Sequence, residues 1–285
     1  MTGETEPAAK DPQASASGSH STSWKKLGKD TALYGFGVAI SRMVSFIMLP
    51  IYTRFLTPAD YGILQLLEIT LEIVSILMVA GMASGMTRFY FKAKTAEQRH
   101  SVVFTAFTLQ TSLSVAGTIL LIWAAPLVWR HGLGGSGTIF LVQLAAANFT
   151  LNTLSYVPLL FMQVQQRPVA YVAATSGRLV LQLSLNILFV VGLEWGVVGI
   201  LWSTFISGIV VGSVLVTWMI RTTGPRINRE DLGDLFRFGL PYQVAWAGSF
   251  VLTFGDRLFL QKYDGVAAVG LYGLAYQFGF ILYQL

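Results

Sequence analysis

Cysteine is absent from this chain, and charged residues are scarce. Only 12% of its 285 residues are Asp, Glu, Lys or Arg, whereas soluble domains contain about a quarter. The lack of cysteine excludes disulfides, thiolate metal sites and thiol catalysis. Hydrophobic residues make up 54% of the chain, and the mean hydropathy is +0.60. The composition therefore indicates an integral membrane protein.

The histidines do not suggest a metal site either. His20, His100 and His131 lie in three separate polar stretches, without partners at the spacing that metal ligands need. We expect each to be a solvated loop residue, and we expect the protein to use no metal and no cofactor.

Long apolar runs recur along the chain. A helix that spans a bilayer needs about 20 mostly apolar residues. Because the runs are continuous rather than alternating, they predict helices and not strands. We therefore expect an all-α polytopic membrane protein with about eight transmembrane helices. The runs lie near residues 31–55, 61–82, 101–127, 138–162, 169–192, 196–220, 239–260 and 266–285.

The distribution of lysine and arginine predicts the orientation of these helices. Most basic residues fall in the N-terminal tail and in alternate connections, which is typical of the cytoplasmic side of a membrane protein. We expect a multi-pass protein of the cytoplasmic, or inner, membrane with its N-terminus in the cytoplasm. The formal net charge of +5 then faces anionic lipid headgroups, and nucleic acid is not an expected partner.

The chain divides into four predicted parts. Residues 1–27 are polar and rich in small residues, which favours a disordered cytoplasmic tail. Residues 28–221 form a six-helix lobe, and 222–238 a cytoplasmic linker. Within the linker a Gly-Pro break precedes Leu232, Leu235 and Phe236 at helical spacing, which predicts a short interfacial helix. Residues 239–285 form the first two helices of a second lobe.

A weak internal repeat supports the two lobes. Placing "GVAAVGLY" (265–272) under "TPADYGIL" (57–64) brings Gly270 under Gly62, at the turn between the first two helices of each lobe. The pattern predicts two like-oriented lobes, the second of which is truncated in this sequence.

Polar side chains inside the apolar runs are aligned rather than scattered. Residues three and four apart share one face of a helix, so each aligned row predicts a polar face. The rows are Ser41, Arg42, Ser45 and Tyr52; Tyr61, Gln65, Glu68, Glu72 and Ser75; Asn148, Asn152 and Ser155; Thr175, Arg178, Gln182 and Asn186; and Tyr242, Trp246, Ser249, Thr253, Asp256 and Arg257.

The charged members of these rows cannot face lipid. A charge at mid-bilayer costs about 2.5–3.5 kcal/mol, so four such charges would cost about 10–14 kcal/mol, comparable with the stability of a whole domain. We expect the rows to surround a hydrated central cavity. The alternative is a structural ion pair between Arg42 and one glutamate, which leaves the other glutamate and Arg178 unexplained.

Three stretches carry a resemblance to a known family. "LPIYTRFLTPADYGILQLLEI", "FRFGLPYQ" and "GDRLFLQKYDGVAAVGLYGLAYQ" resemble the polysaccharide transporters, including O-antigen flippases, of the multidrug, oligosaccharidyl-lipid and polysaccharide exporter superfamily. The resemblance implies a MATE-like bundle of two lobes that moves undecaprenyl-diphosphate-linked oligosaccharide from the inner to the outer leaflet by alternating access. It implies no enzymatic activity, and it implies a polysaccharide polymerase or glycosyltransferase as partner.

Shorter motifs extend the resemblance to single residues. "SRMVSF" (41–46) is similar to the first-helix motif of the lipid II flippase branch, in which the serine and the arginine face the cavity. At the position of a further arginine in that motif, this sequence has Met48. Asp60 matches an acidic residue after the first outer turn, and the neighbours Asp256 and Arg257 match an Asp-Arg pair of the family.

We predict separate roles for the residues of the polar rows. Arg42 and Arg178 are predicted to attract the diphosphate of the substrate, and Ser41 is predicted to face the cavity as a substrate-binding residue. The glutamates and the Asp256–Arg257 pair are predicted to balance charge, and two acids one turn apart repel when ionised, which suits one of them to carry a coupling proton. The residues predicted to bind sugar hydroxyls are Gln65, Asn148, Asn152, Gln182 and Asn186.

Three other functions compete with glycan transport. A multidrug or small-molecule cation antiporter would use Glu68 and Glu72 to bind a cationic solute. A membrane enzyme that acts on lipid-linked sugars would need a substantial outer loop with catalytic residues, whereas the predicted outer connections are short. A passive scaffold would not explain charges at mid-membrane depth.

Overall fold

The computed structural model describes residues 52–78 and 81–284, together with Gly35, Met48 and Pro50. Eight main helices and no β-strand occur in this part of the chain, so the predicted all-α fold is confirmed. Short π-helical turns, Val128–Gly132 and Ile187–Gly192, follow the third and the fifth of these helices. The helices are α1 (Pro58–Met78), α2 (Met82–Lys92), α3 (Ala96–Trp123), α4 (Ile139–Val164), α5 (Pro168–Asn186), α6 (Gly196–Thr223), α7 (Arg229–Asp264) and α8 (Val266–Gln284).

Five stretches of the described chain are long and apolar enough to cross a membrane. They correspond to the second to sixth predicted spans. The tail, most of the first predicted span, and with them Ser41 and Arg42, lie outside the described residues. The five stretches are Pro58–Met78, Ala96–Trp123, Ile139–Val164, Pro168–Gly192 and Gly196–Thr223.

The second predicted span differs from the helix that forms. The sequence predicts one helix over 61–82, but α1 ends at Met78 and α2 begins at Met82. Gly81 adopts a positive φ of 86°, which favours glycine. A Cβ at this position would overlap the backbone of Gly239 on α7. The break therefore depends on a close helix contact that hydropathy does not encode.

The predicted interfacial helix of the linker is also corrected. Residues 232–236 belong to α7, which runs without a break from Arg229 to Asp264 and contains Pro241. Leu235 is fully buried in a cluster with Met86, because its side chain packs on Gly85 of α2. The apolar spacing in the linker thus serves helix packing within the bundle.

Two apolar clusters occupy different levels of the bundle. The first cluster includes Leu121 of α3 and, from α4, Leu141, Val142, Leu144, Ala145 and Ala146. The second includes, from α3, Val102, Val103, Ala106 and Phe107, and from α4, Val157 and Phe161. The polar residues Gln110 and Asn148 lie between these levels. These two polar residues thus have an apolar cluster on either side of them along the helices.

The two copies of the sequence repeat meet each other in the structure. A Cβ on Gly62 would overlap the carbonyl oxygen of Val266, and a Cβ on Gly270 would overlap the carbonyl oxygen of Pro58. Pro58 aligns with Val266 in the repeat, as Gly62 does with Gly270. Each copy therefore contacts the other with equivalent residues, as at an approximate two-fold axis. This contact joins α1 closely to α8.

Candidate functional site

A cavity of about 1000 Å³ lies between the helices. It brings together five of the predicted site residues, from three different helices. They are Glu68 and Glu72 of α1, Asn148 and Asn152 of α4, and Gln182 of α5. Other lining residues include Ser75, Ser84, Gln110, Thr153, Tyr156, Thr204 and Trp246.

Helix α1 places its two carboxylates on the cavity side by simple periodicity. Glu68 and Glu72 are one turn apart, while Leu66 and Ile69 on the other side of the helix are buried in the first apolar cluster. Gln65, the second member of this polar row, places its amide nitrogen 3.5 Å from a carboxylate oxygen of Glu68. Gln65 itself packs against Gly273 of α8 and is not part of the cavity wall.

Two of the cavity-lining residues are buried amides whose side-chain oxygens are unpaired. The side-chain nitrogen of Asn148 donates to the carbonyl oxygen of Leu201 at 2.9 Å, and that of Gln110 lies 3.5 Å from the carbonyl oxygen of Thr153. Asn148 and Gln110 are only 3% and 2% exposed. Within the described chain their side-chain oxygens have no hydrogen-bond partner. Unpaired buried acceptors are unusual, and they favour a site that a ligand or water completes.

Helix α5 is tied to the cavity wall through side chains. The Arg178 guanidinium donates to the side-chain oxygen of Asn152, and Gln182 donates to the Thr204 hydroxyl at 3.1 Å. Arg178 lies behind Asn152 and is not among the lining residues. Its predicted role in binding a diphosphate remains a prediction. Asn186 is buried and also lies outside the cavity wall.

Asp256 and Arg257, the pair matched by the family resemblance, have separate partners. Asp256 accepts hydrogen bonds from the Tyr272 hydroxyl and from the backbone N–H of Arg257. The Arg257 guanidinium lies 4.8 Å from the ring centre of Tyr276 and 5.0 Å from that of Phe254. Such positions favour cation–π attraction.

Arg257 is also the described cation that we infer to balance the charge of Glu68. It comes from α7, in the predicted second lobe, and it is only 4% exposed. Sequence reasoning assigned charge balance to this arginine, and it offered an ion pair of Arg42 with one glutamate only as the alternative to a hydrated cavity. The inferred attraction between Glu68 and Arg257 would join the two predicted lobes.

Several cavity residues were not predicted as site residues. Gln110 is a single amide in a long apolar run, and Tyr156 and Thr204 are not part of any aligned polar row that we identified. A search for isolated amides in apolar runs would have found Gln110. Trp246 belongs to the polar row of α7, which was the only signal for its position at the cavity. Among the described residues, no group of three His, Asp or Glu could hold a metal ion.

The comparisons with known proteins agree with this architecture. The family model "Polysaccharide biosynthesis protein" matches residues 27–285. No curated protein matches the chain. An inward-facing multidrug resistance MATE family transporter of the MOP superfamily has a similar structure, with 20% identity and a TM-score of 0.62 over 84% of this chain and 60% of that chain.

Two further solved structures share the fold. An outward-facing multidrug resistance MATE family transporter of the MOP superfamily is 17% identical, with a TM-score of 0.56 over 88% of this chain and 57% of that one. A MATE protein in complex with Br-NRF is 20% identical, with a TM-score of 0.51 over 88% of this chain and 59% of that one. The chain thus has a MATE-like fold and spans about 60% of the length of the transporters it matches.

Proposed function

The chain belongs to the polysaccharide biosynthesis protein family, and from this premise we propose that the protein moves lipid-linked oligosaccharide across the cytoplasmic membrane. The substrate is an undecaprenyl-diphosphate-linked oligosaccharide or polysaccharide repeat unit, and the transport proceeds by alternating access. The observation that carries this proposal is the polar cavity of about 1000 Å³ within a bundle of membrane-spanning helices. Family and fold both favour a transporter over an enzyme.

The cavity suits the sugar part of such a substrate. Ligand pockets typically measure about 300–1000 Å³, so this cavity is large enough for a small glycan head. Amides and hydroxyls such as Asn148, Asn152, Gln182 and Thr204 offer hydrogen bonds to sugar hydroxyls, while the apolar tail of the substrate can remain in lipid. Arg178, and Arg42 outside the described residues, are the proposed attraction for the diphosphate.

The proposed transport cycle uses the contact between the two repeats. Gly62 and Gly270 bring α1 and α8 together at the end of the bundle that we predict to be the outer one. Closure there corresponds, in the proposed cycle, to a state that accepts substrate from the cytoplasmic leaflet. Separation of α1 from α8 would then release the substrate on the outer side. Polymerases or glycosyltransferases are the proposed partners that use or supply it.

Reconstitution tests this function. Proteoliposomes that contain the purified full-length gene product and a lipid-linked oligosaccharide should expose the glycan to a glycosidase added to one side only, faster than protein-free liposomes do. Gln182→Leu should slow this exposure about tenfold, because it removes a cavity amide and its bond to Thr204.

Gln163→Leu is the matched control. Gln163 is exposed near the end of α4 and lies outside the cavity wall, so the same chemical change there should leave the rate unchanged. Equal rates with and without protein would contradict glycan transport. Equal slowing by both substitutions would contradict the role of the cavity.

Loss of transport in Arg42→Ala and Arg178→Ala would support diphosphate binding, and full transport in both would exclude it.

A second candidate function has its own support. The charged residues that line the cavity in the described chain are both acidic, Glu68 and Glu72, which suits a cationic solute. The protein would then be a multidrug or small-molecule cation antiporter on the same scaffold. Export of a cationic dye from cells, abolished by Glu72→Gln and without any effect of the gene on surface glycan, would favour this function over glycan transport.

A further inference from the structure

The cavity wall is rich in hydrogen-bond acceptors and carries negative charge. Glu68 and Glu72 both line it, whereas none of the lysine, arginine or histidine residues in the described part of the chain does. An ionised carboxylate only accepts hydrogen bonds. The wall formed by α1 therefore favours ligand groups that donate.

The buried amides add acceptors rather than donors. In Asn148 the side-chain nitrogen is held by the carbonyl oxygen of Leu201, which can only accept, so the amide orientation is fixed and the buried oxygen has no partner among the described residues. The same reasoning applies to Gln110, whose nitrogen faces the carbonyl oxygen of Thr153. Each of these two cavity-lining residues thus carries a buried, unpaired carbonyl oxygen, an acceptor for a donor group of a ligand that reaches it.

The cations near the cavity in the described part of the chain do not reverse its acceptor-rich character. Arg178 is bonded to Asn152 and lies outside the wall, and Arg257 acts on Glu68 from a site enclosed by aromatic rings. Glu72 forms no ion pair with a cation in the described residues. The donors that remain on the wall, such as the hydroxyl of Ser75 and the indole N–H of Trp246, are neutral.

We propose that this acceptor-rich wall, formed by Glu68, Glu72, Gln110 and Asn148, selects glycans whose sugars bring donors and rejects glycans that carry a carboxylate. Neutral, N-acylated and amine-bearing sugars satisfy the unpaired oxygens through O–H and N–H groups. A uronic acid places another acceptor-only anion opposite two carboxylates and leaves the oxygens unpaired. This inference rests on the proposed function and names the class of glycan that the cavity takes.

The test uses two lipid-linked disaccharides that differ at one carbon. Both carry N-acetylglucosamine on undecaprenyl diphosphate, followed by glucose in one and glucuronic acid in the other. The difference is a hydroxymethyl group against a carboxylate, so the lipid and the diphosphate contribute equally. The full-length protein in nanodiscs should bind the glucose compound about tenfold more tightly, as expected for one uncompensated polar group.

Two cavity variants and one control identify the residues responsible. Glu72→Gln should reduce the preference to about twofold, since it removes the uncompensated charge while keeping the shape. Gln110→Leu should weaken binding of the glucose compound about fivefold through the loss of an acceptor. Glu97→Gln should keep the full preference, because Glu97 is exposed and pairs with Arg226 away from the cavity. Size-exclusion profiles and thermal unfolding show whether each variant is folded.

Each outcome separates the inference from the function on which it rests. Equal binding of both compounds by the unmodified protein, or tighter binding of the uronic acid, would overturn the selectivity while glycan binding stands. Unchanged preference in folded Glu72→Gln would overturn the assignment to the wall. If neither compound binds, the proposed function itself fails and the selectivity fails with it.

Discussion

At the scale of single residues, the position of Arg257 is costly unless its surroundings compensate for it. The side chain is almost fully buried, and its Nε has no hydrogen-bond partner within the described residues. Its guanidinium donates to the carbonyl oxygen of Thr253 and lies near the rings of Phe254 and Tyr276. A buried charge persists only with such partners. We infer that Glu68 is the anion that this site balances.

Removing the charge of Arg257 should destabilise the protein. Arg257→Gln abolishes the contacts with the aromatic rings, which are worth about 2 kcal/mol when desolvated, and it leaves Glu68 uncompensated. Arg257→Gln combined with Glu68→Gln should therefore cost less than the sum of the two single changes, by about 1 kcal/mol. Unfolding in detergent, followed by tryptophan fluorescence, measures these free energies.

Arg221→Gln is the control for this pair. Arg221 is exposed in the last turn of α6, so the same substitution should change the stability by less than about 0.5 kcal/mol. Strict additivity of Arg257→Gln and Glu68→Gln would show that the two charges do not interact.

Sequence reasoning predicted some of the cavity residues and missed others. The spacing of Glu68 and Glu72, and of Asn148 and Asn152, depends only on helix periodicity, and the structure places all four at one cavity. The link of Glu68 to Arg257 depends on how helices far apart in sequence pack, which spacing within one helix does not determine. Gln110 was missed because one amide in an apolar run forms no periodic pattern.

At the scale of helices, glycine decides how closely α1 approaches α8. A side chain on Gly62 would collide with the backbone of Val266, and backbone cannot rotate away. Gly62→Ala should therefore force the two helices apart and cost about 1–3 kcal/mol, as overpacking does elsewhere. The free energy of unfolding in detergent tests this expectation.

Gly177→Ala is the matched control within α5. No heavy atom lies within 4 Å of the added Cβ at this position, so only backbone entropy changes. Alanine should then stabilise the helix by about 0.5–1 kcal/mol. Opposite signs for the same substitution at Gly62 and Gly177 would show that contact between helices sets the effect. Stabilisation by Gly62→Ala would exclude the close contact.

The existence of the helices was predictable, but some of their ends were not. Apolar runs indicated α3, α4 and α6, because a membrane segment must satisfy its backbone within the helix. The break between α1 and α2 required Gly239 of α7 as a neighbour of Gly81. The continuity of α7 through Pro241 could not be inferred either, since a Gly-Pro break and a polar start favoured a separate linker helix.

At the scale of the whole molecule, the described chain contains a junction between two repeats. Helices α1 and α8 meet through equivalent residues, and we infer that Glu68 and Arg257 attract each other across the same boundary. A steric contact and this inferred attraction therefore link the predicted lobes near the cavity. An alternating-access cycle requires at least one of these contacts to separate.

Distance measurements on the full-length protein test this separation. The chain lacks cysteine, so spin labels can be attached at single introduced thiols without removing any native one. Arg54 and Lys262 are exposed and lie beside the two halves of the junction. Labels at Arg54→Cys and Lys262→Cys should report one short distance in the substrate-free protein, and a second, longer distance should appear when a lipid-linked oligosaccharide is added.

A pair within the first predicted lobe is the control for that measurement. Arg54 and Glu194 both belong to it, and Glu194 is exposed in the turn before α6. If the lobes move as units, Arg54→Cys with Glu194→Cys should keep one distance while the pair across the junction changes. A change in both pairs would indicate deformation within the lobe. A junction distance that stays single with saturating substrate would show that α1 and α8 remain joined throughout binding, and the outer side would then have to open elsewhere.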